Sequence, residues 1–251
     1  RRGEFVAILV QNGSGKTTLV KHLNGILTPT AGDIRLSGQS LRRQLLARLS
    51  RHVGLVFQNP DHQIFAERIR DEVAFGPRLQ GLAEGEIARR VEEALEAVGL
   101  AGAGDLDPFV LTKGGRQRVA VASTLATKTE VIILDEPTTG LDHRELEGMM
   151  ALIQRLNRAG HTILMITHAM AVAATYVRRV ILMRNGRIVR DGATREIFGD
   201  EPGLLDLGLT PPPVVQVANR LGVPALTLEE LVGSLVPAAE GQRGRGAGER
   251  G

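Results

Sequence analysis

The sequence predicts an α/β protein built on a mainly parallel, helix-covered sheet, and three observations carry that expectation. Short apolar runs at Phe5–Val10, Val53–Phe57, Val131–Leu134, Thr162–Ile166 and Val180–Met183 read as buried strands. Helical stretches separate them. Glu84–Val98 is the clearest, with Ile87, Val91, Leu95 and Val98 at steps of four, four and three forming one apolar stripe. The first run leads directly into the glycine-rich segment Asn12-Gly13-Ser14-Gly15-Lys16-Thr17-Thr18. Alternating strands and helices make parallel sheets that bind ligands at the carboxyl ends of their strands. This loop lies at such an end.

The loop has the chemistry of a phosphate cradle. Backbone N–H groups and the N-terminus of the following helix can surround a polyphosphate, Lys16 adds a point charge, and the Thr17 hydroxyl can ligate Mg²⁺. The candidate nucleotide-binding set is Val10, Gln11, Asn12, Gly13, Ser14, Gly15, Lys16, Thr17 and Thr18. The general pattern G-x-x-x-x-G-K-[ST] asks for glycine where this chain has Val10. If that position needs φ > 0 or close backbone approach, a β-branched residue costs about 1–3 kcal/mol or reshapes the loop.

Beyond the second strand, residues 59–128 are mostly helical in pattern with no convincing strand, which reads as a helical subdomain inserted into the sheet domain. Val131–Leu134 then ends in Asp135 and Glu136. An apolar strand closing in two carboxylates downstream of a phosphate loop suits Mg²⁺ binding by the first acid and activation of water by the second. After Arg195 the pattern changes. Thr210-Pro211-Pro212-Pro213 breaks the chain, Val214–Leu221 reads as a short helix, and residues 241–251 contain only Gly, Gln, Arg, Ala and Glu, a tail expected to be disordered.

Bulk properties exclude several classes. The 251 residues suit one large α/β domain with an appendage. The net charge of +3 comes from an arginine excess, Lys16, Lys21, Lys113 and Lys128 being the only lysines. That charge is spread along the chain rather than gathered with aromatic residues, which argues against a nucleic-acid partner, the Arg-Gly tail included. The absence of cysteine excludes disulfides and thiolate metal sites. No apolar run approaches the roughly 18 residues of a membrane span, so membrane association would require a partner. Arg1-Arg2-Gly3-Glu4 leads at once into a strand, which reads as a chain lacking its N-terminal part, and no secretory signal is evident.

The ordered motifs resemble the ATPase cassette of ABC transporters. They are the Walker A-like Val10–Thr17, Gln58 after its strand, Leu111-Thr112-Lys113-Gly114-Gly115-Arg116-Gln117-Arg118, Asp135-Glu136-Pro137, Thr139-Gly140-Leu141-Asp142 and Ile166-Thr167-His168. The segment Gln58–Phe65, the Thr-Lys-Gly signature and the Pro-rich C-terminal extension resemble the ATP-binding subunit of energy-coupling-factor importers of cobalt, nickel or B vitamins. The resemblance implies a P-loop NTPase fold with an inserted helical subdomain, ATP and Mg²⁺ as ligands, and the cytoplasmic face of the cell membrane as location. It divides the chain into a cassette at 1–208, a helical extension at 209–236 and a tail at 237–251.

The resemblance also implies roles. Asn12 to Thr18 hold phosphates; Thr17, Gln58 and Asp135 arrange Mg²⁺ and water; Glu136 is the general base; and His168 senses the γ-phosphate, although a histidine there also fits a core residue. Gln58 would couple phosphate occupancy to the insert. Two cassettes would close head to tail, Thr112 and Gly114 of each reaching the partner's nucleotide. A transmembrane coupling subunit would seat a helix near Ile64–Phe75, a stretch that equally fits plain helix packing, and a further membrane subunit would select the substrate. Besides Val10, Gly115 stands where the family usually has Gln or Glu, which would loosen the start of its helix. Ala169 follows His168 where Asp is usual. These departures suit an alternative, a catalytically weak cassette acting as structural partner in a heterodimer.

Overall fold

The computed structural model describes residues 1–10, 13–42 and 49–236. Gln11, Asn12 and the expected tail at 237–251 lie outside them. Strand β1 (Phe5–Val10) leads through the phosphate loop into helix α1 (Lys16–Leu23), followed by a small antiparallel pair, β2 (Arg35–Leu36) and β3 (Gln39–Ser40). After β4 (Val53–Val56) come only helical elements: a 3₁₀ turn at Pro60–His62, α2 (Ile69–Leu79), α3 (Glu84–Val98), a second 3₁₀ turn at Pro108–Val110, and α4 (Lys113–Ala126). Then follow β5 (Val131–Asp135), α5 (His143–Arg158), β6 (Thr162–Thr167), α6 (Met170–Tyr176), β7 (Arg179–Arg184) and β8 (Arg187–Ala193). The chain continues through α7 (Thr194–Gly199), α8 (Glu201–Asp206), α9 (Pro213–Leu221) and α10 (Leu228–Leu235).

The main sheet runs β4-β5-β6-β1-β7-β8, parallel except for β8. Its strands read as unbroken apolar runs because both faces are covered. In β1, Ala7 and Leu9 join the larger core with the inner faces of α4 and α5, while Ile8 and Val10 point into a smaller core with Val20 of α1. Register aligns the strand ends. Ile8 and Asp135 both lie opposite Ile166, and Leu9 lies opposite Thr167. The loops after β4, β5, β6 and β1 therefore stand side by side along one edge.

The helical insert packs on this frame through the stripe read from the sequence: Ile87, Val91, Leu95 and Val98 of α3 are all buried. Gly99 ends α3 in the left-handed conformation at φ 76°, the helix stop that glycine allows. Close packing joins insert and sheet. A Cβ added at Gly54 in β4 would lie 2.1 Å from Thr124 Cγ2 of α4.

The last apolar run is longer than expected and belongs to a hairpin. Asn185 (φ 50°) and Gly186 (φ 73°) form the two-residue turn between β7 and β8. An Asn-Gly pair favours this turn, but the polar β8 sequence hid the strand. Across the hairpin, Arg179 Nε and Nη2 donate to the two Asp191 carboxylate oxygens at 2.8 and 2.7 Å, and Nη1 donates to both Glu4 oxygens at 3.0 Å.

Val10 corrects an expectation. It ends β1 opposite Met183, is 3% exposed, and is not among the described non-glycine residues at positive φ. A strand residue pays no left-handed strain, so valine suits the position. Val10→Gly removes a buried side chain and adds backbone freedom, and should destabilise the protein by about 1–3 kcal/mol in urea unfolding without strengthening nucleotide binding. Tighter ATP binding by the variant would contradict this.

Hydrogen bonds from Arg179 hold Asp191 below its ordinary value of 3.8, against a smaller upward push from burial. Its folded-state value is depressed, so its contribution is complete above about pH 5 and is lost as pH falls through the folded value. Arg179→Met, which takes the guanidinium from both Asp191 and Glu4, should cost about 0.5–1 kcal/mol near pH 7 for these partly exposed pairs, and the difference from the parent should shrink towards about pH 2 as both depressed carboxylates protonate. A cost that does not change with pH in urea titrations would assign the effect to packing of the arginine stem.

Candidate functional site

Glu136 is the centre of the carboxyl edge. It directly follows β5, is 2% exposed, and adopts φ 49°, an uncommon conformation for a residue with a side chain. Its backbone N–H donates to Ile166 O at 2.8 Å, which ties it to β6. Lys16 Nζ donates to Oε1 at 3.2 Å, and His168 Nδ1 lies 2.7 Å from the same oxygen. Thr167 and Thr139 hydroxyls donate to Oε2 at 3.1 and 3.4 Å. Burial pushes the Glu136 carboxyl up, but the His168 hydrogen bond and the Lys16 charge outweigh it and hold it below 4.5.

Asp135 has the opposite balance. Burial, assisted by the neighbouring Glu136 charge, raises it above 3.8 despite Lys16. Lys16 Nζ stands 3.6 Å from Asp135 Oδ1, an ion-pair separation too long for a hydrogen bond, and among the described residues that buried oxygen has no hydrogen-bond partner. Ser14 Oγ, in the phosphate loop, is likewise buried without one among them. Two polar atoms left unpaired among donors and acceptors cost free energy unless a ligand satisfies them. An oxygen at Asp135 suits a hard cation and a hydroxyl at Ser14 suits an anion, so the residues present fit Mg²⁺ and phosphate. Among the described residues no group of three or more His, Asp or Glu is placed to hold a metal. Mg²⁺ held by one carboxylate, a hydroxyl and substrate phosphates needs no such cage.

The loop itself uses Gly13 (φ 79°) and Gly15 (φ 95°) to turn from β1 into α1. Gly15 faces the hairpin: a Cβ there would lie 3.5 Å from Met183 Cε and 3.6 Å from Gly186 Cα, and Gly186 N–H donates to Ser14 O at 2.8 Å. The β7–β8 turn thus supports the phosphate loop. Reading the sequence missed Met183, Gly186, Thr139 and Thr167. Thr139 and Thr167 stood inside quoted motifs without being given a role, and the Asn-Gly pair was the local signal for Gly186.

The structure gathers Lys16, Asp135, Glu136 and His168 by direct contacts. Thr17 and Thr18 are exposed on the first turn of α1, whose leading N–H groups have no intrahelical partner. Gln58 is exposed in the loop after β4. Thr112 and Gly114 do not join this cluster. The Thr112 hydroxyl caps α4 by accepting from Gly115 N–H at 3.2 Å, and Gly114 is buried against Glu145 of α5. Gly115 also departs from expectation, since a Cβ there would lie 2.9 Å from Leu111 Cβ. The approach of Leu111 leaves no room there for a larger residue without a shift, so glycine suits that helix start. Ala169 donates its N–H to Thr167 Oγ1 at 3.0 Å, so a threonine supports the turn where an acid was expected.

A family model described as ABC transporter matches residues 1–139. A putative ABC transporter ATP-binding protein of Caldanaerobacter subterraneus is 52% identical over 232 residues, covering 92% of this chain and 41% of that protein. The energy-coupling factor transporter ATP-binding protein EcfA1 of Symbiobacterium thermophilum is 46% identical over 244 residues, covering 94% of this chain and 85% of that protein. The solved structure of cbiO1 from Clostridium perfringens, part of the ABC transporter complex cbiONQ, superposes with a TM-score of 0.75 at 34% identity, over 86% of this chain and 88% of that one. The chain spans about two fifths of the Caldanaerobacter relative and most of the Symbiobacterium one. Matched over more than half its length by the family model and over most of it by a solved cassette, the chain belongs to the ABC transporter family of ATPases.

Proposed function

We propose that this chain is the ATP-binding and ATP-hydrolysing subunit of an energy-coupling-factor importer of a micronutrient, a cobalt or nickel ion or a B vitamin. The observation that carries the catalytic reading is the buried Glu136 carboxylate with Lys16 and His168 on one oxygen. Asn12 to Thr18 cradle the phosphates. Thr17, Gln58 and Asp135 hold Mg²⁺, which when bound neutralises charge on the phosphate oxygens. Lys16 moves from the two carboxylates to the phosphates, a stronger anionic partner. Losing Lys16 removes one of the two groups that lower Glu136 and makes it a better proton acceptor for the attacking water. His168, 59% exposed at its side chain, can turn to the γ-phosphate and release the same oxygen.

Thr112 and Gly114 serve the nucleotide of a second cassette. A transmembrane coupling subunit docks on the insert. Within Ile64–Phe75, Ile64 is core at 4% exposure, whereas Phe65 and Phe75 stand on the surface as an edge-to-face pair with centroids 4.8 Å apart. Backbone hydrogen bonds Ile69 N–H to Leu106 O and Arg70 N–H to Gly104 O, at 3.0 and 2.8 Å, bring the loop with exposed Leu106, Phe109 and Val110 to the start of α2. Exposed apolar groups concentrated there suit a partner helix. A separate membrane subunit selects the substrate. In this reading the cassette spans 1–208 with its helical subdomain at 59–128, the extension spans 209–236, and the assembly sits on the cytoplasmic face of the membrane. Among the described residues no helix is long and apolar enough to cross it. Against the weak-cassette alternative, Val10 sits in strand without left-handed strain, Leu111 leaves no room for a Cβ at Gly115 without a shift, and Thr167 supports the turn at Ala169.

Glu136→Gln should lower ATP turnover by at least about 100-fold while leaving ATP affinity within about threefold of the parent. Lys16→Ala should weaken binding itself by about tenfold or more. Steady-state hydrolysis and equilibrium binding check both. Parent-level turnover by Glu136→Gln would sink the assignment of the base.

A further inference from the structure

We propose that Arg116 and Lys113 are positioning residues that make the first turn of α4 a readout of the nucleotide state of the chain's own phosphate site. The proposal rests on the reading above, in which Gln58 and Glu136 border that site and Thr112 and Gly114 face a partner.

The turn is held from two sides. On one side, Arg116 Nε donates to Asp61 Oδ1 at 2.6 Å and Nη1 donates to Leu111 O at 2.7 Å. A single guanidinium, 19% exposed at its side chain, therefore bridges the Gln58 loop and the residue directly before Thr112. Asp61 is itself placed by Asn59, whose side chain accepts the Asp61 N–H at 3.2 Å. One residue on, buried Gln117 donates through Nε2 to Phe57 O at 3.1 Å. Both ends of the segment that carries Gln58 are thus attached to α4.

On the other side, Lys113 Nζ donates to Thr139 O at 2.7 Å. Thr139 is the residue whose hydroxyl donates to Glu136 Oε2. Room for the lysine comes from Gly140 at φ 73°, where a Cβ would lie 2.7 Å from Lys113 Nζ. Among the described residues Lys113 has no carboxylate within ion-pair distance. A cation on the first turn of a helix is disfavoured by the aligned peptide dipoles, and its contact with the Thr139 carbonyl accounts for its place. When nucleotide draws Gln58 and rearranges the donors on Glu136, both displacements reach Leu111–Gly115 through these side chains, each held at its far end by hydrogen bonds. The turn offered to a partner then depends on occupancy at home.

The test is hydrogen exchange with and without Mg²⁺-ATP, on protein diluted until light scattering shows only monomer. In the parent, nucleotide should change exchange at the phosphate loop, at 57–63, at 136–142 and at 111–117 together. Arg116→Gln and Lys113→Gln should each lower the 111–117 response to about half or less, and the double variant should nearly abolish it, with the phosphate-loop response retained. Their ATP affinity should stay within about twofold of the parent, because neither side chain touches the loop. Arg116→Lys, which keeps a cationic donor for Asp61 and Leu111 O, should retain most of the response that Arg116→Gln loses, which a general loss of stability would not allow. A parent-sized 111–117 response in the double variant, or a parent that protects its phosphate loop with no change at 111–117, overturns the relay. Absence of any phosphate-loop response in the parent would instead overturn the ATPase reading, and the relay with it.

Discussion

A carboxylate that is 2% exposed stays ionised only where donors replace water, and Glu136 meets that demand with Lys16, His168 and two threonines. The four donors come from three parts of the chain: Lys16 from the phosphate loop, Thr167 and His168 from the end of β6, and Thr139 from the turn after β5. The group therefore acts as a knot that joins the loops at the carboxyl edge. It also explains why the site looks self-satisfied. The cation that would meet phosphate is paired with acid, while among the described residues Asp135 Oδ1 and Ser14 Oγ have no hydrogen-bond partner. A polyphosphate with its metal would exchange these two conditions.

The sheet makes the knot possible. Because both faces of β1, β5 and β6 are covered, their side chains are committed to packing, and chemistry is confined to the strand ends. Register then sets which ends meet: Asp135 and Ile8 share Ile166 as neighbour. The β7–β8 hairpin adds support from the opposite flank, where Gly186 N–H holds Ser14 O.

The helical insert is tied to the same edge rather than simply carried by it. Arg116, Gln117 and Lys113 reach Asp61, Phe57 and Thr139. An element anchored at both borders of a ligand site moves as those borders move, which is the physical content of coupling. The apolar surface at Phe65, Phe75 and Phe109 lies on this anchored unit.

Sequence alone determined the elements whose signal is local. Unbroken apolar runs mark strands buried on both faces, the four-four-three spacing marks α3, and the glycine-lysine-threonine loop after a strand marks a phosphate site. It also supplied Lys16, Asp135, Glu136 and His168, since each closes or follows such an element. Tertiary structure decided the rest. Whether Val10 is strained depends on strand pairing with Met183, and whether a larger residue would fit at Gly115 depends on Leu111. Thr167 and Gly186 are ordinary residues whose role arises only from what long-range pairing sets beside them, Glu136 for the first and Ser14 for the second. Polar β8 carried no apolar signal, because its pairing is one-sided and at the sheet edge. Local pattern reports what a segment buries; only the folded chain reports what it touches.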